Sequence, residues 1–359
     1  MGAAAVRLCP FRLEGITEWG HCVADLWAAG SLRAITCMAG TRQKRQRLSQ
    51  SAMPTKMRAD SFVREFGVRR GYTNAADMFQ NESLDFVDIV TQPASHRDLV
   101  KLAAAHKVPV ICQKPLALAL DDAEAMARTC SEAGMPFMVH ENFRWQGPMR
   151  ALKFKSDRIG PLFFGRICFR CNHDVYRDQP YLATDPRFIL IDLGVHLLDL
   201  ARFFFGEVVQ LTCNTQRVNP GIKGEDVATV LLTMQSGATC IVDMSYASKL
   251  EEDLFPQTLV HLEGRDGSAT LGSHFRLTTA TPQGVEHKDV SPRLYAWSRP
   301  PGHATQEGVA AIQKHWCDCL RAGTATETCG EDNLKTLELV FGAYRSAEEN
   351  QPYSVRSAQ

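Results

Sequence analysis

From about residue 58 onward, short apolar runs alternate with helical stretches, and no other feature of the chain limits its fold as much. Phe86–Val90, Val108–Cys112 and Phe137–Val139 read as buried strands. Ser61–Phe66, His96–His106 and Leu120–Gly134 read as helices. Strands spaced by helices of this length form parallel βαβ units. In such sheets ligands bind beyond the carboxyl ends of the strands. Those ends are Thr91-Gln92-Pro93, Gln113-Lys114-Pro115 and His140-Glu141-Asn142.

After Pro148 the pattern changes. A helix over Met149–Lys155 leads to strands over 162–171, 208–216, 228–234, 238–246 and 257–263. Gln235-Ser236-Gly237 and Arg265-Asp266-Gly267 read as hairpin turns. Helices return over Gln306–Ala322 and Asn333–Glu349. The fold class expected is therefore α/β, with a parallel-sheet domain over residues 1–147 and an α+β domain over 148–359. The second domain is built on a large, mostly antiparallel open sheet, and its C-terminal helix is free to pack back on the first.

With 359 residues the chain has enough material for two cores. Its 40 basic residues match 40 acidic ones, so no global field attracts nucleic acid or an anionic membrane. The longest apolar run, 188–205, contains Asp192, His196, Asp199 and Arg202, which excludes an ordinary membrane span. The N-terminus has no basic region followed by an apolar stretch. A soluble, cytoplasmic protein is the expectation. Twelve cysteines form no disulfide-like array. Cys168 and Cys171 lie on a strand, where residues three apart point to opposite faces. That geometry suits a shared metal poorly, so no metal is expected and the thiols are read as reduced.

Chemistry concentrates in two places. Asp192 and His196 are four residues apart in an apolar stretch read as helix, so both leave one face. A carboxylate and an imidazole projecting together supply a proton acceptor and a group that orients it or its substrate. The other reading is a buried pair satisfying each other. Lys114 follows a buried strand and precedes Pro115, at a ligand-facing strand end. A partly desolvated ammonium there can hold or polarise a substrate hydroxyl.

These residues fall in motifs that resemble a known family. Cys112-Gln113-Lys114-Pro115-Leu116-Ala117 resembles the Glu-Lys-Pro motif of the glucose–fructose oxidoreductase / inositol dehydrogenase / rhizopine-catabolism (Gfo/Idh/MocA) family. The stretch from Asp192 through His196 and Arg202 to Gly206-Glu207 resembles its Asp-x3-His helix and its ending. Thr91-Gln92-Pro93-Ala94-Ser95-His96, Asn142-Phe143-Arg144 and Gly224-Glu225-Asp226 agree in the same order. The resemblance implies a Rossmann domain binding NAD or NADP. It also implies an oxidoreductase moving hydride between that cofactor and a sugar, polyol or cyclitol-like substrate. The family's trio falls on Lys114, Asp192 and His196: His196 the general base, Lys114 the ligand of the reacting oxygen, Asp192 holding a neighbouring hydroxyl or orienting His196. Thr91, Pro93, His96, Gln113, Lys114 and Asn142 are expected to line the cofactor. Arg144 and Tyr176 join Asp192 and His196 towards the substrate. A non-catalytic nucleotide- or sugar-binding relative is the alternative.

The opening departs from this pattern. No GxGxxG turn is present; only Gly15 and Gly20 stand where it belongs, among Glu14, Glu18 and Trp19. A generous reading makes Ala4–Cys9 the first strand, Thr17–Ala29 the helix and Leu32–Cys37 the second strand. The basic run Thr41–Arg47 then replaces the usual acidic residue. Three explanations stand: a diverged nucleotide site, a lost one, or an unnatural first 57 residues, as from a shifted frame. The abrupt return to pattern at Met57–Asp60 favours the third. Finally, the alternating strands over 228–234 and 238–246 need covering on both sides, which predicts a homodimer or homotetramer through the second sheet.

Overall fold

The computed structural model describes residues 70–356, and before them only 34–38, 50–52, 56, 57, 60, 63 and 64. The proposed strand Ala4–Cys9, helix Thr17–Ala29 and basic run Thr41–Arg47 lie outside the described residues, as does most of Ser61–Phe66. Two compact units are present. The first comprises the described residues up to His140 together with Ala310–Asp332; the second comprises Glu141–Val309 and the described residues from Asn333 on.

The first unit is built on six strands: β1 (Ala34–Met38), β2 (Gln50–Ala52), β3 (Arg70–Tyr72), β4 (Phe86–Val90), β5 (Val110–Cys112) and β6 (Phe137–Val139). Their order in the sheet is β3-β2-β1-β4-β5-β6. Helix α1 (Ala75–Asn81) precedes β4, α2 (His96–Ala105) links β4 to β5, and α3 (Leu120–Glu132) links β5 to β6. Strands β4, β5 and β6 run parallel, as the βαβ pattern predicts. β1 departs from that expectation, being antiparallel to both neighbours, β2 and β4. β2 is in turn parallel to β3, so β1 alone reverses direction. β4, β5 and β6 are almost wholly buried, and their continuous apolar runs follow from covering on both faces.

The second unit carries α4 (Gly147–Ser156), β7 (Leu162–Arg170), α5 (Val195–Phe205) and a run of strands. These are β8 (Val208–Gln216), β9 (Val227–Met234), β10 (Thr239–Ser245), β11 (Leu259–Gly264), β12 (Gly267–Leu271), β13 (Arg276–Thr281) and β14 (Gly284–Asp289). Helices α6 (His303–Ala322) and α7 (Gly330–Glu349) and the short strand β15 (Tyr353–Ser354) complete the chain. The nine-stranded sheet has the order β14-β13-β12-β11-β7-β10-β9-β8-β15. All of its pairs are antiparallel except β7 with β10. Both expected hairpins form, β9 to β10 and β11 to β12.

α5 is buried nearly all round, which explains its near-continuous apolar sequence. It stops at Gly206, whose φ of 84° puts it in the left-handed region where a side chain is strained, and whose N–H donates to Arg202 O. Among the described residues, no helix is long and apolar enough to cross a membrane.

Candidate active site

In the first unit the strand ends are tied together by side chains. After β4, Ser95 Oγ donates to Thr91 Oγ1 at 2.7 Å. His96 is wholly buried, with Nδ1 3.0 Å from Leu116 O and Nε2 3.1 Å from Thr91 O. The ring therefore links the turn after β4 to the turn after β5. Burial lowers its pKa, and in the neutral ring one of the two nitrogens donates at a time. Lys114 lies in the second of these turns, half-buried, with a cis bond to Pro115. Its N–H donates to Gln113 Oε1, and Gln113 N–H continues the ladder to Ile89 O. The hydroxyl of Thr91, the amide of Gln113 and the ammonium of Lys114 thus stand at the carboxyl ends of parallel strands, where such sheets bind ligands.

In the second unit Asp192 and His196 are joined by an unusual piece of helix. Leu190–Gly194 is a π-helical turn running directly into α5. Single π turns are rare and are found often at functional sites. The amino end of this turn is held by a residue far away in sequence. Glu225 accepts from the N–H groups of Phe188 at 3.2 Å and Leu190 at 3.1 Å. Tyr344 OH donates to the same carboxylate at 2.8 Å and accepts from Ile191 N–H at 3.2 Å. A carboxylate on the free N–H groups of a helix start satisfies orphan donors and complements the helix dipole. Gly224 lets Glu225 come this close, since a Cβ there would sit 2.9 Å from Phe188 Cβ and 3.0 Å from backbone atoms. Asp226 secures the adjacent loop by accepting from Val218 and Asn219 N–H. The motif Gly224-Glu225-Asp226 is therefore the clamp of the Asp192/His196 segment.

His196 is buried. Its Nδ1 is hydrogen-bonded to Glu141 Oε1, and its ring lies flat on Phe143, with centroids 3.9 Å apart and planes 4° apart. One turn further along α5, Asp199 takes two bonds from Arg144: Nε to Oδ2 at 2.7 Å and Nη2 to Oδ1 at 2.5 Å. Burial pushes the Asp199 carboxyl up to about 6, against the downward pull of Arg144. Asp192 is half-buried; burial first, and then the nearby charge of Asp192, raises the pKa values of Tyr181, Asp185 and Tyr246. Tyr176 packs at 5.5 Å from Phe188, which stacks on Tyr246, and burial pushes its phenol up to about 12. Asn142 is fully buried, and neither atom of its amide has a hydrogen-bond partner.

The sequence-derived residues thus divide between the units: Thr91, Pro93, His96, Gln113 and Lys114 in the first, Asn142, Arg144, Tyr176, Asp192 and His196 in the second. Asp192 and His196 do share one helical segment. Arg144, read as a substrate ligand, has its guanidinium engaged by Asp199. Glu141, at a ligand-facing strand end, is not among the sequence-derived residues, yet its carboxylate is bonded to His196. Cys168 hydrogen-bonds to Asp243, and burial pushes both its thiol and that of Cys171 up to about 12. No metal-ligating cluster occurs among the described residues.

Comparison with known proteins adds the following. Residues 34–141 match the model of the oxidoreductase family with an NAD-binding Rossmann fold, and residues 152–270 match the Gfo/Idh/MocA C-terminal domain. D-apiose dehydrogenase of Rhizobium rhizogenes (strain K84) is 54% identical over 285 residues, which cover 79% of this chain and 83% of that protein. D-apiose dehydrogenase of Paraburkholderia graminis is 49% identical over 296 residues, covering 82% and 79% respectively. A crystal structure of an oxidoreductase from Agrobacterium radiobacter, in complex with NAD+, L-tartaric acid and magnesium, superposes with a TM-score of 0.84. It is 50% identical, and the match covers 86% of this chain and 90% of that one.

Proposed function

Because this chain belongs to the Gfo/Idh/MocA family of NAD-binding oxidoreductases, we propose that it oxidises a carbinol of a short-chain sugar, with D-apiose or a similar pentose as substrate. The observation that carries the substrate class is the 54% identity to a D-apiose dehydrogenase across most of both chains. L-Tartaric acid in the Agrobacterium structure supports a site suited to a small polyhydroxylated molecule.

The residues present fit a dinucleotide at its nicotinamide end. Polar groups stand at the carboxyl ends of β4 and β5, and the unpartnered, buried Asn142 amide suits a polar ligand. Thr91, Pro93, Gln113, Lys114 and Asn142 would hold the cofactor there, with His96 bracing the two turns. Bound there, NAD+ would supply the acceptor for the hydride that leaves the carbinol carbon. In the same step His196 takes the hydroxyl proton, leaving a carbonyl. Lys114 donates a hydrogen bond to the reacting oxygen and stabilises its developing negative charge. Asp192 accepts from a neighbouring hydroxyl and fixes the face presented.

The test is NADH formation, followed by absorbance, when purified protein meets NAD+ and D-apiose. A His196→Ala variant should lose about 10²–10⁴-fold in kcat while still binding NADH. Absence of turnover with D-apiose and with a panel of other pentoses would overturn the reading. Binding of NADH but not NADPH is expected, measured by fluorescence.

The open face of the nine-stranded sheet supports self-association. Thr229, Leu231 and Thr233 alternate outward along β9, and Leu231 is 47% exposed. Beside them Phe164, Ile241 and His261 line a shallow depression, with Asp243 held by Arg166 and Arg170. A second copy of the same sheet would cover this mixed face in a homodimer or a homotetramer. The nine cysteines from Cys112 onward are all free, which supports a reducing, cytoplasmic setting.

A further inference from the structure

We infer that Glu141 is a positioning residue of the proposed dehydrogenation: it holds the ring proton of His196 on Nδ1, so that Nε2 is the nitrogen that takes the hydroxyl proton. The inference rests on the reading of His196 as the base and extends it to a residue outside the Lys114–Asp192–His196 trio.

A neutral imidazole has one N–H and one lone pair, and an ionised carboxylate can only accept. The bond between Glu141 Oε1 and His196 Nδ1 therefore puts the ring proton on Nδ1. Glu141 is 0% exposed. A carboxylate removed from water this fully needs a partner that repays its desolvation, and the imidazole is one. The geometry allows the ring little freedom. Phe143, two residues after Glu141, lies parallel against it, so one short segment supplies both the hydrogen bond and the flat wall.

The other charged groups around the helix have their own partners or neighbours. Asp199, one turn after His196, is held by Arg144 and lies near Thr336 Oγ1 at 3.4 Å. Arg202 is engaged by Glu207 and Thr336. Asp192, one turn before, stands among Tyr181, Asp185 and Tyr246. When the proton moves from substrate to Nε2 the ring becomes imidazolium, and Glu141 supplies the negative charge that stabilises it. A buried carboxylate behind a catalytic imidazole does this work in hydrolytic triads, where its amide variant keeps the geometry but favours the wrong tautomer.

The experiment uses full-length protein labelled with 15N-histidine, in wild-type form and as Glu141→Gln and Glu141→Asp, with His196→Gln assigning the resonance. In the wild type His196 is expected as the Nδ1–H tautomer. In Glu141→Gln its titration midpoint should fall by at least about one pH unit, since the facing negative charge is gone. In parallel kcat should drop by about 10²–10⁴-fold with the sugar KM within about threefold, and Glu141→Asp should recover part of the loss. A folded Glu141→Gln protein with unchanged His196 tautomer and midpoint would overturn the inference. If Glu141→Gln does not fold, Glu141→Asp decides: a shifted Nδ1 resonance supports the role and an unmoved one removes it. If the wild type turns over no sugar, the dehydrogenase reading falls, while the resonances still decide whether Glu141 sets the state of His196.

Discussion

Asp88 shows at the scale of one residue how burial writes pH into stability. It sits in the middle of β4, 1% exposed, with Oδ2 accepting from Gln313 Nε2 at 2.7 Å. Neither its Oδ1 nor Gln313 Oε1 has a partner, an arrangement that a proton on the carboxyl would relieve. Burial pushes the carboxyl up to about 7, although the Gln313 bond pulls it down. Between its ordinary value of 3.8 and about 7 the folded protein therefore keeps a proton that the unfolded chain releases. The contribution to stability is full below about pH 4 and is lost as the pH rises through 7. Asp88→Asn should match the wild type in Tm at low pH and exceed it at pH 8, a difference that thermal scans at several pH values will read. Lys114, Asp192 and His196 were legible because a charged residue in an apolar stretch is conspicuous. Glu141 and Glu225 were not, because their roles come from partners 55 and up to 119 residues away.

The segment joining Asp192 to His196 carries the clearest consequence at the scale of elements. A π turn holds one residue more than the α-helical turn it replaces. Deleting Leu193 should restore regular helix and rotate Asp192 by about 100° relative to His196. The expected outcome is loss of turnover with NADH affinity kept, since Thr91, Gln113 and Lys114 lie in the other unit; fluorescence titration beside a turnover assay checks it. Replacing Gly206 with Ala should cost roughly 1 kcal/mol or more, read in denaturant midpoints, because the positive φ is incompatible with a side chain. The apolar pattern specified β4, β6 and β8 closely, since each has a face or core that water cannot reach. It missed β14, whose six residues are all exposed and show no alternation. The reversed β1 was illegible for another reason: an apolar run records burial but not strand direction.

At the scale of the whole molecule the two units differ in what they leave uncovered. If a second copy covers the open sheet, Leu231→Glu should shift the mass measured by light scattering from an oligomer to a monomer, because it puts a charge at the middle of that face. A wild-type monomer at micromolar concentration would count against the dimer and tetramer alike. The division into domains was only partly written in the sequence. The change of pattern near Pro148 is local, whereas the assignment of 310–332 to the first unit depends on contacts such as Gln313 with Asp88 and Trp316 edge-on to Phe86 at 5.9 Å. That interleaving bears on how the protein is made. On the ribosome the first unit stays incomplete until residue 332 has been added, long after His140. At ordinary elongation rates the wait is on the order of 10–40 s. Throughout it the sheet that carries Lys114 lacks a helix that covers its core, so a nascent chain stalled before α6 should be the species that chaperones hold and proteases cut.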